Sequence, residues 1–201
     1  MIVADYLNEL VNKLKTGTPL SQIANLNYEM ISDLHLLTAK PVIYVFNVDE
    51  ETLTNINKKS TLEKLVTPAK SIFVCAKLED ELKSLSPEDS AELLESYGVS
   101  ENGLLQLIHA AYDILGLQSY LTAGPKEVRA WTIKQGATAP QAAGIIHGDF
   151  ERGFIAAEIV DYDDLISSGS KTSARATGKL RTEGKTYIMQ PNDVVEFRFN
   201  V

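Results

Sequence analysis

Residues 40–50 constrain the fold of this chain more than any other segment. Lys40 and Pro41 are followed by the apolar run 42–46, which is typical of a buried strand in a parallel sheet. The run ends at Asn47, and Glu50 follows three residues later. Ligands of open α/β sheets bind beyond the carboxyl ends of the strands, and an amide with a carboxylate can pair with the edge of a nucleobase. The segment therefore predicts a base-binding site.

The phosphate-binding half of such a site has no counterpart in these residues, because G-x-x-x-x-G-K-[ST] does not occur in them. We therefore expect the sequence to begin partway through a nucleotide-binding domain. Taken alone, Asn47 and Glu50 have a simpler interpretation, a solvated turn at the end of a strand, because polar residues of this kind are common in turns.

The composition of the 201 residues, 44% hydrophobic and 23% charged, is typical of a soluble globular protein with one or two domains. No apolar run is long enough to span a membrane. Cys75 is the only cysteine, so no internal disulfide can form. We therefore expect a reducing, cytoplasmic location and no membrane partner.

The net charge of -8 lies entirely in residues 1–123, whereas residues 124–201 carry ten basic and ten acidic side chains. The acidic half should not attract nucleic acid, and we expect no DNA partner. The neutral half offers five basic residues that could form a local patch, although a solvated, mixed-charge face is the simpler interpretation. These five are Lys171, Arg175, Lys179, Arg181 and Lys185.

Helical spacing of leucines predicts helices over 4–15 and 26–37, which could form a helical hairpin or one arm of a coiled coil. Alternating elements follow, and they predict a parallel sheet with helices. These are strands 42–46 and 71–75, and helices over 61–69, from Ser86 to Tyr97, and over 103–115. The last helix is expected to bury Leu104, Leu107, Ile108, Ala111 and Leu115.

The segment 122–125 predicts a domain boundary, because Gly-Pro breaks regular structure. Beyond it the pattern predicts a small mixed sheet wrapped around one helix, the β-grasp arrangement. Its strands are predicted over 128–133, 154–160, 179–183 and 194–199, and its helix over 140–146. Trp131 is expected in the sheet core; stacking on RNA would require it to be exposed beside basic groups. Cys75 is expected to pack in the interior rather than to react.

Three runs in the second half, 129–133, 139–147 and 149–155, together with the C-terminal run 178–201, resemble the TGS domain of the YchF family of Obg-like ATPases, which are phosphate-loop NTPases. Residues 36–41, 47–50 and 75–79 resemble the base-recognition loops of the same family. The resemblance implies a coiled-coil remnant over 1–37, the C-terminal part of a G domain over 38–123, and a β-grasp TGS domain over 124–201.

The resemblance also implies the contacts of the base. Asn47, Val48 and Glu50 would form one base-recognition loop, and Cys75, Ala76 and Lys77 would form the other. GTPases place Asp where this chain has Glu50, so ATP is implied in preference to GTP, with GTP as the alternative. Magnesium would be held by residues with no counterpart here, and no catalytic or metal-binding residue is assigned. The chain alone is accordingly expected not to hydrolyse ATP.

Partners follow from the same resemblance. It implies a translation-associated regulator that engages the ribosome or RNA through its TGS domain. The alternative is a standalone TGS-type module that binds RNA, the ribosome or a protein. An incomplete sheet also predicts an exposed edge, through which the chain could dimerise.

Overall fold

The computed structural model describes residues 2–124 and 127–200. The chain divides into two compact units, with the division between Leu115 and Gly116. The predicted boundary at 122–125 lies further along the chain, on residues that are only partly described. The difference arises because residues 117–123 form a strand that pairs within the second unit. Among the described residues, no helix has the length and apolar character needed to cross a membrane.

The first unit opens with helix α1 (Ile2–Lys15), and Gly17, two residues beyond its end, has φ of +82°. The predicted helix over 26–37 is wrong, because the segment consists of short 3-10 turns instead. His35, within this range, has φ of 47°, which an α-helix cannot contain. The predicted helical hairpin is therefore absent. The turns are Leu20–Gln22, Tyr28–Met30, Ser32–Leu34 and Leu37–Ala39.

Two strands form the centre of the first unit, β1 (Ile43–Asn47) and β2 (Lys70–Val74). They pair in parallel, with Asn47 opposite Val74, so the predicted parallel pairing is confirmed. Five helices accompany the strands. They are α2 (Glu50–Thr54), α3 (Ile56–Val66), α4 (Ala76–Leu82), α5 (Pro87–Ser96) and α6 (Gly103–Leu115). The predicted start of α5 is confirmed, because the Ser86 side chain accepts a hydrogen bond from the Asp89 amide.

Helix α6 does not bury the apolar face that its periodicity predicts. Its small residues Gly103 and Ala110 are the buried ones, whereas Leu104 and Ile108 are 64% and 41% exposed. Leu107 and Leu115 are exposed as well, and Ala111 is half-buried. The helix packs on β2 through its narrow small-residue side, and this leaves the leucines facing outward.

The second unit is a mixed sheet with the strand order β4-β3-β7-β5-β6. Only the β3–β7 pair is parallel. The strands are β3 (Leu117–Ala123), β4 (Val128–Lys134), β5 (Phe154–Asp161), β6 (Arg181–Glu183) and β7 (Asp193–Phe199). The helices are α7 (Ala139–Ile146), α8 (Gly148–Arg152), α9 (Tyr162–Ser168) and α10 (Lys171–Ala176).

Each face of this sheet has its own apolar cluster. On one face Tyr120, Ile159 and Val195 pack with the alanines of α7, and the Tyr120 hydroxyl donates to the Ala142 carbonyl at 2.9 Å. Val160 and Val194 lie in a separate cluster with Ala174 of α10. The predicted central helix is confirmed in place, whereas α8, α10 and β3 were not predicted.

Candidate functional site

A cleft lies where the two parallel strands of the first unit end. Because β1 and β2 run in parallel, their carboxyl ends meet at the same edge, and the loops that follow them line one cavity of about 650 Å³. The lining includes all six residues predicted to contact a base. The full set is Asn47, Val48, Asp49, Glu50, Glu51, Cys75, Ala76 and Lys77. Residues 28 positions apart in sequence thus share one small site, as the strand-end argument predicted.

Asn47 connects the two loops of the cleft. Its Oδ1 accepts a hydrogen bond from the backbone amide of Ala76 at 3.3 Å. Beside it, the Val48 amide donates to the Val74 carbonyl at 2.9 Å, which extends the parallel pairing by one residue. The Val48 side chain packs in the cluster that contains buried Cys75, so the expectation of an interior Cys75 is confirmed.

The two acids after Asn47 have different roles. Asp49 caps helix α2, because its Oδ1 accepts from the Thr52 amide at 2.8 Å, and hydrogen bonds from Thr52 lower the pKa of Asp49. Glu50 instead faces the cleft. Its Oε1 accepts from Lys77 Nζ at 2.7 Å, and its Oε2 accepts from the Tyr97 hydroxyl at 3.3 Å. Both acids line the cleft, but only the Glu50 carboxylate contacts the Lys77 side chain.

The Glu50–Lys77 pair sets the electrostatics of the cleft. The hydrogen bond from Lys77, reinforced by its charge, lowers the pKa of Glu50, and the same contact raises the pKa of Lys77. Burial, followed by the charge of Glu50, raises the pKa of Tyr97. At neutral pH the cleft therefore holds a carboxylate, an ammonium group and a neutral phenol. Sequence reasoning missed Tyr97, because it follows helix α5 and is 47 residues from Glu50.

The groups that line the cleft are polar and apolar groups of several kinds. The cleft offers backbone groups at Val48 and Ala76, the Glu50 carboxylate, and the exposed stem of Lys77. Within the described residues, no cluster of three or more His, Cys, Asp or Glu side chains is placed to hold a metal.

Most of the five candidate basic residues of the second unit are paired with acids. Nitrogen–oxygen distances are 3.0 Å for Lys171–Glu196, 2.8 Å for Arg175–Glu158 and 2.7 Å for Lys179–Asp164. Arg181 lies 3.9 Å from Glu183, and no ion pair of Lys185 is described. A mixed-charge face describes this region better than a basic patch does.

Trp131 is half-buried rather than fully in the core. Its indole nitrogen donates to the Thr122 hydroxyl at 2.9 Å, and the Arg129 guanidinium lies 4.1 Å from the ring centroid. One ring face is thus already occupied by Arg129. His147 accepts from the Asp149 amide and caps helix α8, which agrees with a structural role in the turn.

Comparison with known proteins identifies relatives of this chain. Residues 117–200 match the family model YchF-GTPase_C, described as "Protein of unknown function (DUF933)". The ribosome-binding ATPase YchF of Bacillus subtilis is 48% identical over 178 residues, which cover 86% of this chain and 49% of that protein. The ribosome-binding ATPase YchF of Mycoplasma genitalium is 41% identical over 203 residues. The match covers 97% of this chain and 55% of that protein.

A solved structure agrees with these relatives. The Schizosaccharomyces pombe YchF GTPase superposes with a TM-score of 0.76 and is 34% identical, over 94% of this chain and 53% of that one. The chain thus spans about half the length of the relatives it matches. Sequence and fold agree, and the chain belongs to the YchF family of Obg-like ATPases, of which it represents the C-terminal part.

Proposed function

We propose that this chain provides the base-binding half of a nucleotide site in a YchF-like, translation-associated regulator. The observation that carries the proposal is the hydrogen bond from Ala76 to Asn47, which fixes two strand-end loops around one cleft with Glu50 facing into it. The family membership supports it, because relatives of this chain are named ribosome-binding ATPases. The mixed sheet of the second unit is consistent with a β-grasp TGS domain.

In this proposal each residue of the cleft has a role. Asn47 contacts the base and braces the loops, and the Val48 side chain lies beside the ring. The backbone of Cys75 and Ala76 offers hydrogen-bonding groups to the edge of the base, while the aliphatic stem of Lys77 covers the face of the ring. Glu50 accepts hydrogen bonds in the cleft.

We infer that the base is adenine, with guanine as the alternative. Guanine would offer its ring NH and amino group to the Glu50 carboxylate, where they would have to share the two oxygens with Lys77 and Tyr97, each of which already donates to one of them. The names of the relatives differ on this point, since the bacterial proteins are called ATPases and the fission yeast protein a GTPase. Phosphates and magnesium would be held by residues outside these 201, so the polypeptide alone should not hydrolyse ATP.

Nucleotide titration followed by amide NMR tests this proposal. We expect ATP and adenosine to bind with a similar Kd of about 1 mM, because the phosphates gain few contacts here, and to shift the amides of Val48, Ala76 and Lys77. The variant Asn47→Ala should lose most of this binding, whereas Asn57→Ala, an exposed asparagine on α3, should not. Shifts confined to other parts of the chain would contradict the proposal, as would ATP turnover that is abolished by Glu50→Ala.

A second candidate function is a binding module formed by the second unit. Two observations favour it: this unit is compact by itself, and the family model matches residues 117–200 without the first unit. The module would bind the ribosome, RNA or a protein. Ribosome co-sedimentation of residues 116–201, with folding checked by circular dichroism, tests this. Binding by that fragment would support the module, and loss of binding by a folded fragment would exclude it.

We also propose that strand β1 allows dimerisation. Among the described residues β1 pairs only with β2, and Val42 and Val45 beside its open edge are 44% and 50% exposed. An open apolar edge favours pairing with another chain. Light scattering should show a mass that rises with concentration, and a constant monomer mass would exclude the dimer.

A further inference from the structure

A groove of about 580 Å³ lies beside helix α5 of the first unit. Its lining on the α5 side consists of Asp89, Glu92, Leu93 and Ser96. These four residues follow the spacing of one helix face. Glu81 of α4 and Leu85, in the connection between the two helices, also line the groove. All of these residues belong to the hairpin formed by α4 and α5.

Helix α5 is anchored beside α4 through another of its faces. Leu94 is buried in one apolar cluster with Leu78 of α4, and the Ser90 hydroxyl donates to the Leu82 carbonyl at 3.4 Å. These contacts hold α5 in place and leave the face that carries Glu92 to the groove.

The acids of α5 have no basic partner among the residues that the structure describes. No lysine or arginine occurs in residues 84–125, which contain six acids. Two of these, Glu101 and Asp113, contact His109 and Lys70. The other four are exposed and form no described ion pair; they are Glu88, Asp89, Glu92 and Glu95. The negative charge along α5 is therefore available to a partner.

The remaining acid of the lining adds to this charge. Glu81 lies 3.9 Å from Lys77 Nζ, but the same ammonium group is bound more closely by Glu50, at 2.7 Å. The Asp89 carboxylate accepts only a neutral hydroxyl, that of Ser86, at 2.9 Å. Glu88 and Asp89 also lie in the first turn of α5, where acids favour the helix dipole, whereas Glu92 and Glu95 lie beyond that turn.

The groove combines these acids with apolar side chains. Leu85 is 39% exposed although it lies next to the cavity, and Leu93 is half-buried. An apolar surface bordered by unpaired carboxylates is complementary to a segment that carries both apolar and basic side chains. A nucleic acid is disfavoured, because its phosphates would be repelled by the same carboxylates.

The walls favour a helical partner over an extended one. They are formed mainly by helices, whose backbone groups pair within each helix, so an extended segment would find no strand edge to pair with. A helix needs none, because its own backbone groups are already paired. The ten residues of α5 span about 15 Å, which matches about three turns of a partner helix.

We propose that the groove between α4 and α5 binds a basic amphipathic helix of a partner protein. Apolar side chains of that helix cover Leu85 and Leu93, and its lysine or arginine side chains pair with Glu92 and the neighbouring acids. This binding site is separate from the base cleft at the strand ends.

The probe is an acetylated, amidated peptide of about 14 residues, in which leucine and lysine recur at helical spacing on one side and alanine and glutamine fill the other. It is titrated into the full chain and followed by amide NMR. We expect shifts at Leu85, Glu92 and Ser96, and binding that weakens about tenfold when salt is raised from about 0.05 to 0.5 M. A matched peptide with glutamate in place of lysine should not bind. A peptide with a central proline should bind at least about tenfold more weakly.

Matched variants separate the groove from the general charge of the chain. Glu92→Lys should weaken binding of the lysine peptide about tenfold, because it replaces an attraction by a repulsion. Glu63→Lys, an exposed acid on α3, makes the same change in net charge and should weaken binding less than about twofold. Leu85→Ser should weaken it about threefold, whereas Leu65→Ser, at a position on α3 that is 74% exposed, should leave it unchanged.

Several results would overturn the proposal. These are absent shifts of the groove amides at millimolar peptide, equal effects of the two charge reversals, and equal binding of the lysine and glutamate peptides. Shifts of the same amides on raising the protein concentration without peptide would identify a second copy of the chain as the occupant and would overturn it too. Tighter binding of a uridine oligonucleotide at these amides would have the same consequence.

Discussion

Replacing Asn47 by alanine should loosen the base cleft in a way that can be measured residue by residue. The Asn47 side chain is the only acceptor described for the Ala76 amide, so the variant leaves that amide to water. A net hydrogen bond contributes about 0.5–1.5 kcal/mol, and this one is long and exposed, so we take the lower half of that range. The stability of the closed loops should then fall about two- to fivefold.

Amide hydrogen exchange provides the assay. In Asn47→Ala the Ala76 amide should exchange at least about twofold faster. The Val48 amide should change less, because it donates to Val74 in the extended ladder. Asn47→Asp is the matched control, because it keeps an oxygen acceptor at the same place. Unchanged protection of Ala76 in the alanine variant would refute the bracing role of Asn47.

Three further predictions concern charge and packing. Lys77→Met should raise the pKa of Glu50, measured by carbon NMR of its carboxyl group, because it removes the hydrogen bond and charge that lower this pKa; an unchanged pKa would contradict the pairing. Burial raises the pKa of Asp193, so its favourable contribution is present below the unfolded value of 3.8 and is lost as pH rises through the folded pKa. In urea denaturation the wild type should therefore gain stability relative to Asp193→Asn as pH falls, and a constant difference would exclude this linkage. Gly153→Ala should lower the free energy of unfolding by about 1–3 kcal/mol, because the added Cβ would overlap the backbone just after β7, and an unchanged unfolding midpoint would show that the backbone yields freely.

The sequence predicted the strand-end site well because parallel strands impose simple geometry. The observed β1 and β2 lie within one residue of the predicted strands, and the six predicted residues meet in one cleft. This prediction requires only that the two strands be neighbours and run in parallel, because their carboxyl ends then lie at the same edge of the sheet. No local pattern could reveal Tyr97, because its contact with Glu50 depends on how helix α5 packs.

The spacing of apolar residues predicted helices and their buried faces less reliably, because burial depends on which other parts of the chain pack against a segment. Leucines at helical spacing predicted a helix over 26–37, but His35 takes a left-handed conformation there and the segment folds as turns around Ile31. In α6 the same kind of pattern located the helix correctly, yet Leu104 is exposed. A pattern identifies an apolar face without showing which element of the chain covers it.

The central claim is that the cleft formed by Asn47, Glu50 and Lys77 holds a nucleobase. Photo-crosslinking with 8-azidoadenosine, followed by mass spectrometry of the labelled peptides, tests it most directly. We expect labelling within residues 47–51 or 75–77 that competing ATP suppresses and that Asn47→Ala reduces. Labelling spread over the chain, or confined to the second unit and unaffected by Asn47→Ala, would contradict it.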